Sequence, residues 1–355
     1  MKKLLKVFGC LLLCLALVAG AGIAYLSLTE YKPADVEPAA VSHGAGATTY
    51  AHLSEGQSVS VLNWNIGYGA LGAEADFFMD GGKSVRGKDL PTVTKYLNDI
   101  WNTVHLREEP YDFVLYQEVD QDAARSCGLD ERILLSPSGT WSYAPNYETA
   151  FVPYPMPPLG RVHSGLMTDT SSYQIEEARR VALPCPFSWP LRTVNLKRCL
   201  LVTYLPIEGS DKKLSLVNLH LEAYSGEDGR DAQMRQLGRF LESEYQKGNY
   251  VIAGGDFNQV FPDTTERYPI TTAELWEPGV LSLNDLPEGF RFVWDAETPS
   301  CRLLNAPYDP NTTQHYVIDG FILSPNVILE SVETLDQGFA SSDHNPVELH
   351  VRLGA

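Results

Sequence analysis

Six apolar segments of this chain end in, or run into, polar side chains of a few recurring types. Each segment has the length and the content of Val, Ile, Leu and Tyr that are typical of a β-strand. In chain order the polar residues are Asn65, Glu118, His220, Asp256 with Asn258, Asp319, and Asp343 with His344. Because strand ends meet at the edge of a sheet, this recurrence predicts one cluster of carboxylates, amides and imidazoles. Such an oxygen-rich cluster suits a hard cation such as Mg²⁺ or Mn²⁺, whereas a zinc site would contain more His or Cys.

Strands and helices are mixed between residue 58 and the C-terminus. Apolar runs predict strands over residues 58–64, 113–119, 214–221, 250–253, 316–323 and 347–353. Helical spacing of apolar residues predicts one helix that begins near Pro91 and a second helix over 234–245. The composition is therefore that of an α/β domain. The segment from Trp141 to Leu205 is rich in Pro, Tyr and Trp, and its pattern predicts neither state.

The N-terminus is a candidate membrane segment. Three lysines precede an uncharged apolar run over residues 7–28, and about 20 such residues span a bilayer. We therefore expect residues 1–30 to direct export and to anchor the chain in the cell membrane, with the following domain outside the cytoplasm. The small residues Ala19-Gly20-Ala21 offer an alternative, because cleavage of a signal peptide there would give a secreted protein.

The remainder divides simply into two parts. Residues 31–57 contain Pro33, Pro38 and many Ala and Gly, which predicts a linker, and residues 58–355 form one domain without internal repeats. Four cysteines fall outside the N-terminal segment and permit three pairings, so no disulfide is assigned.

Charge limits the ways in which this chain can bind phosphate. Lys and Arg total 27 and Asp and Glu total 45, a formal net charge of −18, so no global positive field attracts polyanions. A phosphate-binding protein with this balance would need a metal ion.

The order of the strand endings resembles that of the endonuclease/exonuclease/phosphatase superfamily, the metal-dependent phosphoesterases related to deoxyribonuclease I. The most specific motifs are Gln117-Glu118, Gly255-Asp256-Phe257-Asn258 and Ser342-Asp343-His344-Asn345, with Asn218-Leu219-His220 in support, and the resemblance covers residues 59–353. It implies a four-layer α/β/β/α sandwich in which two mixed sheets pack face to face, preceded here by a transmembrane helix.

The resemblance also implies a metal site. Glu118 would be the principal ligand of Mg²⁺ or Mn²⁺, with Asn65 beside it and Asp343 in reach directly or through water. Whether one or two ions act is open.

The remaining residues would act on the phosphate and on the attacking water. Asp256 and Asn258 would position the water or the phosphate, and His220 would donate a hydrogen bond to a phosphoryl oxygen. His344 would contact the phosphate or move a proton, with Asp319 bound to its other ring nitrogen. Asp256 and His344 are both candidates for the general base.

These roles predict a membrane-anchored phosphoesterase that acts on a lipid headgroup or a small phosphorylated molecule. A secreted or surface nuclease is the alternative. A binding module without catalysis is a third possibility, but such a module would lack at least one essential residue, and all of them are present here. No protein partner is implied. The polar stretch 76–88 is a candidate substrate loop, and the aromatic stretch 141–189 forms either a substrate wall or ordinary core packing.

Overall fold

The computed structural model describes residues 2–43 and 50–354. The helices are α1 (Lys2–Leu28), α2 (Leu90–His105), α3 (Glu131–Leu135), α4 (Glu227–Gln246) and α5 (Thr264–Arg267). The first nine strands are β1 (Val36–Pro38), β2 (Ala40–Ser42), β3 (Ser58–Asn65), β4 (Phe113–Asp120), β5 (Trp141–Val152), β6 (Gly160–Asp169), β7 (Glu177–Ala182), β8 (Cys199–Pro206) and β9 (Lys213–His220). The remaining strands are β10 (Tyr250–Asp256), β11 (Gln259–Val260), β12 (Gly279–Val280), β13 (Arg291–Val293), β14 (Cys301–Arg302), β15 (His315–Tyr316), β16 (Asp319–Leu323), β17 (Val327–Thr334) and β18 (Val347–Leu353).

Most strands belong to two seven-stranded sheets. The order is β1-β7-β8-β9-β10-β16-β13 in the first sheet and β17-β18-β3-β4-β6-β5-β2 in the second. Within the two large sheets, β3 pairs with β4 and β9 pairs with β10 in parallel, and the other pairings are antiparallel. Both sheets are therefore mixed.

The two sheets pack face to face and each has a helix on its outer side. Val61 and Leu115 of the second sheet share one core cluster with Leu216 and Ile252 of the first, and all four side chains are fully buried. The apolar face of α4 packs on the outer side of the first sheet, and that of α2 packs on the second. The arrangement is the predicted four-layer α/β/β/α sandwich.

Helix α2 shows how the local sequence sets an element. Asp89 precedes the helix, and its carboxylate accepts a hydrogen bond from the backbone amide of Thr92 at 2.8 Å. Pro91 lies in the first turn, where no backbone donor is needed. Val93, Leu97 and Ile100 then recur at helical spacing and are buried.

Buried amides join the sheets to each other. The Gln117 side chain in β4 donates to the side-chain oxygens of Asn63 in β3 and Asn218 in β9, each at 2.8 Å. Asn218 in turn donates to the backbone carbonyls of Tyr116 and Met167 in the opposite sheet, at 3.0 and 2.9 Å. Two of the motif residues thus satisfy buried polar groups between the layers, away from solvent.

The structure differs from the sequence expectation in three segments. Residues 141–205, which gave no readable pattern, contain β5, β6, β7 and β8. The predicted strand 316–323 is divided into β15 and β16. Within the predicted linker 31–57, β1 pairs with β7 and β2 pairs with β5, so this part of the linker is attached to both sheets, whereas residues 44–49 lie outside the described residues.

Helix α1 stands apart from the sandwich core. It has 27 residues, none of them buried, and it is long and apolar enough to cross a membrane. The six cysteines are all free.

Candidate active site

The eight candidate residues form one connected cluster at the edge where β3, β4, β9 and β10 end. The Asn65 amide nitrogen lies 3.0 Å from Asp256 Oδ2 and 3.4 Å from Glu118 Oε1. The structure brings together all eight of them, Asn65, Glu118, His220, Asp256, Asn258, Asp319, Asp343 and His344. Their roles in catalysis and metal binding stay predictions.

Glu118 leaves the regular geometry of β4. Its φ is +57°, and the register between β4 and β6 shifts between Tyr116 and Val119. A left-handed backbone at a residue other than glycine is strained and occurs preferentially at functional sites. The Glu118 side chain keeps 23% of its surface exposed, whereas that of Asp256 keeps 2%, so Glu118 is the more accessible carboxylate.

His344 is held between carboxylates. Its Nδ1 lies 2.8 Å from Asp319 Oδ2, and the Ser300 hydroxyl donates to that same carboxylate oxygen at 2.8 Å. Burial disfavours the imidazolium, but the charges of Asp319 and its neighbours outweigh burial and raise the pKa of His344 well above its ordinary value. The ring is therefore cationic at neutral pH, and Nε2 faces Asp256 at 3.8 Å and Asp343 at 3.9 Å.

Asp256 lies at the centre of the cluster. Its Oδ1 accepts a hydrogen bond from the Asn258 backbone amide at 2.8 Å, and its Oδ2 lies 3.4 Å from His220 Nε2. Burial raises the pKa of Asp256 to about 7, against the opposing effect of the cationic His344. Burial lowers the pKa of His220 well below its ordinary value, so this imidazole is neutral.

Asp343 faces the β3 end of the cluster. Burial raises its pKa to about 6, and the nearby charge of Glu118 adds to the shift. A Cβ atom at Gly67 would lie 2.9 Å from Asp343 Oδ1, and Gly67 has a φ of +50°, so the turn after β3 requires glycine here.

Two sets of residues in this cluster could hold a cation. Asp256, Asp319 and His344 present ligand atoms that lie within 4.8 Å of one another. The contact between Asp319 and His344 is already a hydrogen bond, so Asp319 Oδ2 and His344 Nδ1 are engaged without an ion.

The set predicted from the sequence supplies the hard oxygen donors that Mg²⁺ and Mn²⁺ prefer. Glu118 and Asp343 are two carboxylates whose negative charges repel each other, and a cation bound between them would relieve this repulsion. The Asn65 amide oxygen accepts a hydrogen bond from the Gly67 amide at 3.1 Å, and the amide nitrogen faces the carboxylates. Coordination by Asn65 would require its side chain to turn.

Sequence reasoning missed two residues at this site, Arg125 and Cys301. Arg125 is buried, lies 3.6 Å from Glu118, forms a 3.0 Å ion pair with Asp120 and stacks on the Tyr68 ring at 3.8 Å. The buried Cys301 Sγ lies 3.5 Å from His344 Nε2. Neither residue belongs to a motif, and both approach the site from loops or short elements, so no periodic signal could have identified them.

The candidate substrate loop, residues 76–88, contributes to a cavity next to Tyr68. Asp76, Ser84, Arg86 and Lys88 line a cavity of about 180 Å³ together with Tyr68, whose ring contacts Arg125. Tyr68 links this cavity to Arg125, which lies 3.6 Å from Glu118. Use of the cavity by substrate stays a prediction.

No family model and no curated protein sequence matches this chain. Solved structures do match. An endonuclease/exonuclease/phosphatase from Beutenbergia cavernae superimposes with a TM-score of 0.55 at 17% identity, covering 84% of this chain and 72% of that chain. ANGEL2, described as a 2',3'-cyclic phosphatase in complex with adenosine-2',3'-vanadate, superimposes with a TM-score of 0.53 at 16% identity, covering 90% of this chain and 99% of that chain. The human Nocturnin catalytic domain with bound sulfate superimposes with a TM-score of 0.50 at 18% identity, covering 86% of this chain and 97% of that chain.

At these identities the likeness establishes the fold. The chain has the endonuclease/exonuclease/phosphatase fold, which confirms the architecture that the strand endings predicted.

Proposed function

We propose that this chain, which has the endonuclease/exonuclease/phosphatase fold, is a divalent-metal-dependent phosphoesterase held at the outer face of a membrane by α1. The observation that carries the proposal is that three kinds of group meet at one end of the sheets. They are the imidazolium of His344 bound to Asp319, the central carboxyl group of Asp256, and the mutually repelling carboxylates of Glu118 and Asp343. The two carboxylates would hold the cation that neutralises phosphoryl charge, the central carboxyl group would activate water, and the imidazolium would donate a hydrogen bond to a phosphoryl oxygen.

Glu118 and Asp343 would hold the ion, with Asn65 after rotation of its amide. A bound Mg²⁺ or Mn²⁺ would neutralise charge on the phosphoryl oxygens and stabilise the leaving oxygen. The net charge of −18 supports this requirement, because the chain supplies little positive charge of its own. Arg125, the guanidinium nearest to Glu118, already pairs with Asp120.

His344 would donate a hydrogen bond from Nε2 to a phosphoryl oxygen. Asp319 fixes the ring by accepting from Nδ1, and Ser300 holds the carboxylate in place. Because the imidazolium is already formed before substrate binds, the site is preorganised for an anion.

Asp256 would accept the proton of the attacking water. Its pKa of about 7 is that of a group that exchanges a proton near neutral pH, and the Asn258 backbone amide fixes its orientation. His220, neutral and 3.4 Å from the same carboxylate, would donate to a phosphoryl oxygen.

The substrate class follows from position and charge. A membrane anchor would keep the site close to lipid, which favours a phospholipid headgroup or a small phosphorylated molecule over nucleic acid. The negative net charge also disfavours a nucleic acid duplex, because such binding depends on cationic side chains that replace counterions.

The test is hydrolysis by the purified full chain in detergent micelles. Bis(p-nitrophenyl) phosphate, a phospholipid, an inositol phosphate and DNA would each be offered with Mg²⁺ or with a chelator. We expect turnover only with the metal, and we expect Glu118→Gln and His344→Ala to reduce it on the order of 100-fold. Glu108→Gln, at an exposed position outside the site, is the matched control. Unchanged hydrolysis in both site variants would contradict the assignment, and absence of turnover on every substrate would favour a binding module.

A further inference from the structure

Five large apolar side chains lie exposed around one part of the domain surface. Phe151 lies at the end of β5, Tyr154 and Met156 belong to the turn between β5 and β6, and Trp189 and Leu191 belong to the segment between β7 and β8. Their exposed fractions are 42%, 72%, 82%, 53% and 61% respectively. We call these five residues the apolar rim. Exposed apolar residues that cluster in this way mark an interaction surface.

Sheet topology places both parts of the apolar rim at the edge that carries the candidate active site. β4 and β5 each pair antiparallel with β6, so β5 is parallel to β4 and its turn lies at the end that carries Glu118. β8 is antiparallel to β9, so the segment that precedes Cys199 lies at the end that carries His220.

The membrane helix reaches the sandwich at the same edge. Val36 of β1 pairs with Val181 near the end of β7, so the chain from α1 arrives beside the segment that holds Trp189. The Trp189 indole nitrogen donates to the hydroxyl of Ser27, in the last turn of α1, at 3.0 Å. Just beyond the helix, Glu30 keeps only 4% of its side chain exposed and pairs with Arg192 and Lys197, each at 3.2 Å.

The two parts of the apolar rim are joined by packing. The Tyr147 hydroxyl of β5 donates to the carbonyl of Val194 at 3.1 Å. Val152 and Leu159, which flank the β5–β6 turn, belong to a cluster that includes Val194.

The β5–β6 turn also contacts the candidate substrate loop, residues 76–88. The rings of Phe78 and Tyr154 lie 6.2 Å apart, and the Arg86 guanidinium donates to the carbonyl of Pro158 at 2.5 Å. Arg86 lines the cavity beside Tyr68. The apolar rim is therefore connected by direct contacts both to the end of α1 and to the loop that lines this cavity.

We propose that the apolar rim inserts into the headgroup region of the bilayer that α1 spans, so that the candidate active site opens toward the lipid surface and takes a lipid-borne phosphoester. This inference rests on the membrane anchor of the proposed function. The bilayer is the occupant that the structure supports, because Trp189 is bonded to the end of the spanning helix and must lie at the depth where that helix leaves the hydrocarbon core. Trp and Tyr are the residues that favour this depth.

Fluorescence quenching tests the docking without any need for catalysis. The full chain would be reconstituted in phosphatidylcholine vesicles whose acyl chains carry bromine close to the headgroup. Tyr154→Trp adds a probe on the apolar rim, and Leu106→Trp adds one at a 70% exposed position just beyond α2, at the opposite edge of the sheet. We expect brominated lipid to quench about half or more of the added Tyr154→Trp emission and to leave that of Leu106→Trp unchanged.

Hydrolysis tests the consequence for substrate. Met156→Ser should lower the rate on vesicle phospholipid about fivefold relative to the rate on soluble bis(p-nitrophenyl) phosphate, whereas Leu106→Ser should leave this ratio unchanged. Both positions are exposed, so neither change should affect folding.

The outcomes separate this inference from the proposed function. If the Tyr154→Trp emission is not quenched, the docking is refuted even when the chain hydrolyses soluble diesters. If it is not quenched and Met156→Cys instead forms cross-links between copies, the apolar rim is a protein interface. Quenching without hydrolysis of any phosphoester would leave the docking in place and refute the proposed function. Quenching with hydrolysis of soluble diesters alone would refute the lipid-borne substrate.

Discussion

Asp319 and His344 are 25 positions apart in the sequence and 2.8 Å apart in the structure. The hydrogen bond that the motifs implied between them is present, and Ser300 adds a second contact to the same carboxylate oxygen. The other oxygen of Asp319 is buried without a partner among the described residues. The buried Asp319 carboxylate is therefore stabilised by the histidine and the serine, and its negative charge in turn stabilises the protonated form of the histidine.

We expect Asp319→Asn to lower kcat about 100-fold with little change in KM, because the amide keeps the shape but removes the charge that supports the imidazolium. Since the carboxylate raises the pKa of His344, its loss should lower that pKa, so the ring loses its proton at a lower pH than in the unmodified protein. Steady-state kinetics and an NMR titration of the imidazole would measure both effects. Asp211→Asn, at an exposed position, should change neither. An unaltered kcat would remove His344 from the mechanism as described.

At this scale the sequence predicts residues that follow strands and misses those that do not. Glu118 and Asp256 stand at the ends of apolar runs, so their approximate positions follow from the strand pattern. Arg125 and Cys301 come from short elements, and nothing local indicates that they approach Glu118 and His344. The backbone strain at Glu118 is also invisible in the sequence, because it depends on the pairing of β4 with β6.

Strands β9 and β10 show how an element sets the geometry of the site. They pair in parallel with His220 opposite Asp256, so the two side chains emerge at the same level of the sheet. Just before Asp256, a Cβ atom at Gly255 would lie 1.9 Å from the backbone oxygen of Leu219. Only glycine allows the two strands to approach this closely.

Gly255→Ala should therefore lower the free energy of unfolding by about 3 kcal/mol and reduce activity, since the clash displaces β9 from β10 and separates His220 from Asp256. Urea denaturation and the hydrolysis assay would measure the two effects on the same preparation. At Gly226 an added Cβ atom meets nothing within 4 Å, so Gly226→Ala should cost less than about 1 kcal/mol. Equal stability of the two variants would contradict this view of the strand contact.

The elements that could be predicted are those with one clear apolar pattern. Helix α2 and the strands β3, β4, β9, β10 and β18 were predicted close to their observed bounds, whereas α4, predicted over 234–245, begins earlier, at Glu227. β5 to β8 were not, because their apolar residues are interrupted by Pro, Arg, Asn and Thr that are themselves buried, such as Asn146, Arg180 and Thr203. β1 and β2 have three residues each, too few for any period to appear.

For the whole molecule, the N-terminal region has two parts with different effects on stability. Helix α1 buries no residue, whereas β1 and β2 extend both sheets and Glu30 makes nearly buried ion pairs. Deletion of residues 2–28 should leave the Tm in detergent within about 1 °C, and deletion of residues 2–42 should lower it by about 5 °C. Differential scanning calorimetry would compare them. Equal Tm values would show that β1 and β2 add nothing to the sandwich and that the whole segment acts as a linker.

Net charge and the candidate metal site are connected at the same scale. A chain with a charge of −18 already repels itself, and at the site the charge of Glu118 adds to burial in raising the pKa of Asp343. A cation bound between these carboxylates would remove a repulsion that destabilises the folded state but is absent from the unfolded state. Mg²⁺ should therefore raise the Tm.

At ten times its Kd, a ligand that binds only the folded state stabilises it by about 1.4 kcal/mol, which corresponds to a rise of about 2 °C for a domain of this size. Glu118→Gln should abolish this rise. It should also increase the Tm measured without metal, because it removes the negative charge that repels the Asp343 carboxylate. Glu108→Gln, which removes one charge elsewhere, controls for general screening by the salt. If Glu118→Gln responded to Mg²⁺ as the unmodified protein does, the ion would be bound by residues other than these, and Asp256, Asp319 and His344 would be the next set to test.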